Sequence, residues 1–156
     1  MTCNCMLEKP FGRGLTICLK APFQARAVAL VLALATCAVL VLLHVGFQGG
    51  DDSSFLIGAL GWVESFPYVG ESHWTLRHTV TIPVALSIRT FGFNEFAITI
   101  PTIAYFIAFL AVNAWFIARY FDRRIAAIGT VLLIVLPGFS VIATYLNCDI
   151  PELFFV

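Results

Sequence analysis

The hydrophobic runs of this chain come in two lengths, and the difference predicts two kinds of helix. Residues 28–47 form a nearly unbroken apolar stretch, interrupted by Thr36 and His44. A run of that length and so poor in charge is long enough to cross a hydrocarbon core about 30 Å thick. Residues 98–118 and 125–146 repeat the pattern, the latter with Gly129 and Pro137-Gly138 placed to kink it. The shorter runs lie between the first two long ones. Phe55, Ala59, Val63 and Phe66 recur at helical spacing with Leu56 and Leu60 beside them, and Pro67 follows. This predicts an amphipathic helix on the membrane surface.

Residues 79–92 carry two signals at once. Val80, Ile82, Val84, Leu86 and Ile88 alternate as in a strand, but Pro83 sits early, as the first turn of a helix allows. About fourteen residues containing Arg89 are too few to span. The segment reads as a second surface or re-entrant helix. Near the end, Asp149-Ile150-Pro151-Glu152 has the spacing of a capping box, and Leu153-Phe154-Phe155-Val156 opens another apolar run. The expected architecture is all-α: three transmembrane helices, two amphipathic or re-entrant helices in the loop 48–97, and the start of a fourth span. The chain then reads as the N-terminal fragment of a longer polytopic protein.

Composition agrees with a bilayer environment. Of 156 residues 60% are hydrophobic and 12% charged, with mean hydropathy +0.94. Net charge is zero, so its distribution carries the information. Lys9, Arg13, Lys20 and Arg26 precede the first run against Glu8 alone, which predicts a cytoplasmic basic arm over residues 1–26. A cleaved signal peptide does not fit, because the apolar run is too long. If 79–92 does not cross, the basic loop 119–124 returns to the cytoplasm, as the positive-inside bias asks. Asp149 then emerges on the same side as Asp51 and Asp52. The five cysteines, Cys3, Cys5, Cys18, Cys37 and Cys148, suggest no disulfide framework, and Cys3-x-Cys5 lacks a second pair for zinc.

The acids are the candidate chemistry. Asp51 and Asp52 follow Gly49-Gly50 at the mouth of the first span. Their bland role, and that of Asp149, is to cap a helix. His44, His73 and His78 show no paired ligand spacing, and Trp62, Trp74 and Tyr68 read as interfacial anchors.

One order of features carries a resemblance. It runs from basic arm and first span to the acidic pair, then Arg77-His78 followed by a proline. Phe91-Gly92-Phe93-Asn94-Glu95-Phe96-Ala97, Ile100-Pro101 and Leu146-Asn147-Cys148-Asp149 complete it. Over about residues 25–156 this resembles the N-terminal third of polytopic GT-C glycosyltransferases, the branch with protein O-mannosyltransferases and aminoarabinose transferases. The chain departs from the family at Thr99, where an arginine is usual, and lacks the lysine-proline pair of the first loop. The resemblance implies a membrane glycosyltransferase. It would move a sugar from a dolichyl- or undecaprenyl-phosphate donor to a lipid, glycan or protein acceptor on the extracytoplasmic face. It implies catalytic acids at Asp51, Asp52 and Asp149, and a cation near the lipid phosphate at Arg77 or His78. A neighbouring acid would orient the acceptor or help hold a divalent metal ion; no cofactor is otherwise expected, and nucleic acid is not among the partners. The setting expected is multi-pass in the bacterial inner membrane rather than the endoplasmic reticulum. Alone, a fragment would be inactive. Two other readings remain open: a non-enzymatic membrane scaffold or subunit, and a piece of a transporter, which is weakened by the lack of any mid-span acid or base.

Overall fold

A computed structural model describes residues 23–155, which fold as seven helices with no strand among the described residues. The basic arm, up to residue 22, lies outside them. In chain order the helices are α1 (Phe23–Leu42), α2 (Asp51–Glu64), α3 (His78–Phe91), α4 (Glu95–Tyr120), α5 (Arg123–Val135), α6 (Pro137–Ile142) and α7 (Asp149–Phe155). Only α4 is by itself long and apolar enough to cross a membrane among the described residues. Its 26 residues rise about 39 Å at 1.5 Å each, more than a hydrocarbon core requires.

The other two long runs are interrupted. In α1 the apolar stretch is Leu30–Leu42, and the helix stops before residue 47. Gly46 adopts φ +72°, and the Glu95 carboxylate lies where a Cβ on Gly46 would stand. That conformation and that space suit glycine alone. The Thr144 hydroxyl accepts from Val45 N–H at 3.2 Å and sits 3.2 Å from the Leu43 carbonyl, covering groups that the helix end leaves open. The third run is not kinked but broken. Leu136, at ψ 110°, is pushed out of the helical region by the ring of Pro137, which starts α6.

Three helices alternate in direction. Ala27, Val31 and Leu32 share a groove with Ala127, Ile128 and Leu132, while Thr36 and Cys37 share one with Leu110 and Ala114. At the next level His44 meets Glu95 at 3.5 Å. Thus α1 runs antiparallel to α4 and alongside α5, and the end of α1, the start of α4 and the segment after α6 gather at one end. Between the helices, Leu40, Phe106, Leu110, Ile134, Ala143 and Ile150 form one buried cluster.

The second cluster belongs to α2, α3 and the start of α4, with Phe55, Ala59, Val84, Ile88 and Ile98 at its centre. Gly58 lets α2 close on its partner: an added Cβ would stand 2.9 Å from Thr81 Cγ2 and 3.0 Å from Thr75 Cα. In α3 the buried residues are Val80, Thr81, Val84, Ala85, Ser87 and Ile88, so the helical period wins over the alternating one. Arg89 leaves the apolar face altogether and donates to the Val63 carbonyl at 2.9 Å, near the end of α2.

Candidate functional site

The site forms where α2, α7 and the segment before α3 meet. Gly49, at φ +77°, turns the chain into α2, whose N-cap is Gly50 with no side-chain cap bond. The aspartates therefore do not cap α2, as expected of them, but occupy its first turn. There the partial positive charge of the helix start favours an anion. Asp52 is buried and its Oδ2 accepts from Gln48 N–H at 3.0 Å, while Asp51 is exposed. One carboxylate is thus pinned by the backbone and its neighbour faces outward.

Across from them, α7 is also capped differently from its expected pattern. Asn147 Oδ1 accepts from Asp149 N–H at 2.9 Å and from Ile150 N–H at 3.3 Å. With Asn147 covering the helix start, Asp149 is exposed in the first turn. Glu152 does not reach back to close a capping box. It accepts instead from Arg77 Nη1 at 2.6 Å. The Arg77 guanidinium also lies 4.9 Å from the Trp74 ring centroid, and Trp74 meets Phe55 edge-on at 5.5 Å.

These groups enclose an open cavity of about 500 Å³. Asp51, Asp52, Arg77 and Asp149, all singled out in the sequence, line it together, with Trp74, Tyr145 and Glu152 added. His78 is not among its lining residues; its ring packs edge-on against Trp62 at 5.4 Å. Glu152 carried a sequence signal, but for a cap rather than an ion pair. Trp74 looked like a membrane anchor because an indole serves either purpose.

No family model, curated protein or solved structure matches the chain.

Cys148 also lines the cavity, and burial pushes its thiol up to about 11, with the Arg77 guanidinium opposing that shift. At neutral pH it stays protonated, which makes it a poor nucleophile. Among the described residues no group of three or more His, Cys, Asp or Glu side chains is arranged to hold a metal ion. The cavity lining holds three carboxylates apart from the arginine, one carboxylate paired with it, and an aromatic wall.

Proposed function

We propose that this chain belongs to a membrane-embedded glycosyltransferase that uses a polyprenyl-phosphate sugar. In this reading α1, α4 and the α5–α6 pair each cross the bilayer of a bacterial inner membrane. The cavity then opens at the extracytoplasmic face, where it takes a lipid, glycan or protein acceptor. One observation carries the proposal: Asp51, Asp52, Arg77 and Asp149, drawn from three separated segments, line a single cavity at one end of the helices.

The chemistry asks for a base and for a group to receive a departing anion. Asp51, exposed on the cavity wall, takes the proton of the acceptor hydroxyl. The acceptor oxygen forms a bond to the anomeric carbon as the bond from that carbon to the phosphate oxygen breaks. The electron pair leaves with the polyprenyl phosphate, whose charge faces the Arg77 guanidinium, the one cationic side chain lining the cavity among the described residues. Asp52, held by Gln48 N–H, is a positioning residue that keeps the start of α2 in place, and Asp149 orients the acceptor from the opposite wall.

The test uses the complete protein in native membranes, supplied with a labelled polyprenyl-phosphate sugar. A positioned base contributes about 10²–10⁴ in rate, so Asp51→Asn should lower transfer at least about a hundredfold, with insertion unchanged and at most about 1 kcal/mol of stability lost with the helix-start charge. Wild-type rates in that variant, or no transfer from any such donor by the unaltered protein, would overturn the proposal.

A further inference from the structure

We propose that Glu152 is a built-in competitor for Arg77, and that a ligand's phosphate group binds in the cavity by taking the carboxylate's place on the guanidinium. The inference rests on the reading of the site as one for a phosphate-linked donor, and adds what occupies the arginine before the donor arrives and what displaces it.

Three observations lead there. The guanidinium has a support that does not depend on Glu152: it lies against Trp74 at 4.9 Å, and Trp74 is itself held edge-on by Phe55. Losing the carboxylate therefore leaves the guanidinium's seat in place. The ion pair is short, at 2.6 Å, yet its side chains are 32% and 60% exposed. Water screens such a pair, so opening it costs little. The third observation is the sign of the surroundings. With Arg77 neutralised, an incoming ligand meets Asp51, Asp52 and Asp149 around the cavity. That arrangement repels anions until the arginine is released.

The forked donors of a guanidinium match the oxygens of a phosphate as well as those of a carboxylate. A phosphate group is therefore the natural replacement, in exchange rather than addition: one anion leaves Arg77 as the other arrives. Glu152 belongs to α7 and Arg77 precedes α3, 75 residues earlier. The exchange consequently unlinks two walls of the cavity. A neutral sugar has no means of making it.

The experiment titrates the protein in phosphatidylcholine nanodiscs with dimethyl phosphate, and repeats the measurement in nanodiscs doped with a prenyl phosphate. Glu152→Gln removes the competing charge and should tighten binding about threefold to tenfold; adding Arg77→Gln should abolish the gain. A gain in both arms assigns the site to the phosphate group itself, and a gain only in the second assigns it to a lipid headgroup. No gain in either arm overturns the inference. A second measurement needs no variant. In the wild-type protein, phenylglyoxal modification of Arg77, read by mass spectrometry, should slow when the phosphate probe is present; an unchanged rate also overturns the inference. Failure here is distinct from failure of the enzyme reading. Unchanged phosphate binding in Glu152→Gln, with transfer still lost in Asp51→Asn, removes the competitor and keeps the transferase. The reverse pair of results does the opposite.

Discussion

At the scale of single residues, Cys148 shows how burial becomes a pH dependence. Its thiol ordinarily loses a proton near 9.0, and in the folded chain does so only at about 11. The folded state thus holds the proton more tightly than the unfolded one. This contribution is fully present below pH 9.0 and is lost as pH rises through about 11. Thermal melts of the wild type and of Cys148→Ala should differ by a constant amount at neutral pH. Between pH 9 and 11 the wild type should lose that advantage, while a pH-independent difference would contradict the assignment. Residue identity was the most legible level of the site. Asp51, Asp52, Arg77 and Asp149 all line the cavity, whereas the caps were misread. A cap needs only an oxygen just ahead of the helix, and several neighbours in each loop can supply it. In the loop before α7 the amide of Asn147, two residues earlier, does so and releases Asp149.

Among the elements, α3 explains what periodicity can and cannot decide. Its alternating apolar positions contain a second series at every fourth residue: Val80, Val84 and Ile88. Those three are buried, while Ile82 and Leu86 are exposed at 42% and 63%. An alternating run therefore cannot distinguish strand from helix unless something else breaks the tie, and here Pro83 does. The proline has a consequence of its own. It lacks an N–H, so the Thr79 carbonyl loses its intrahelical donor. The Tyr105 hydroxyl from α4 donates to that carbonyl at 3.0 Å. Tyr105→Phe should cost about 1 kcal/mol in stability, the usual net worth of such a bond. In a Pro83→Ala background residue 83 can donate to Thr79 itself. The same tyrosine substitution should then cost less, and the double-mutant cycle measures the coupling. An equal cost in both backgrounds would mean that the hydroxyl acts elsewhere. The break between α5 and α6 follows the same logic. Proline was visible in the sequence, but whether it kinks or stops a helix depends on neighbours that can satisfy the freed carbonyls. Here Ser140 donates to the Ile134 carbonyl at 2.6 Å, and the chain restarts as α6.

For the molecule as a whole, the question is what surrounds the outer faces of α1, α4 and α5. Leu30, Leu34 and Val41 on α1, Ile107 and Val112 on α4, and Ile128 and Val135 on α5 are all large, apolar and exposed. Large apolar side chains exposed on three neighbouring helices suit contact with lipid or with another protein. Lipid accords with α4, long and apolar enough to cross, and with the basic link between α4 and α5, where Arg119, Arg123 and Arg124 lie at the end opposite the cavity. The alternation of α1, α4 and α5 was legible only through charge, because loop length cannot say whether the α2–α3 segment crosses. The proposed crossings put the cavity and the basic link on opposite sides of the bilayer. Single cysteines placed at 51, 122 and 149 in a cysteine-free background make the test. A membrane-impermeant maleimide added outside intact cells should label 51 and 149 alike, and reach 122 only after permeabilisation. Labelling of 149 from the cytoplasmic side, with 51 still reached from outside, would separate the two walls of the cavity by a membrane. No arrangement of α7 against α2 in a bilayer allows that, so such a result would remove the proposed topology and the transferase site with it.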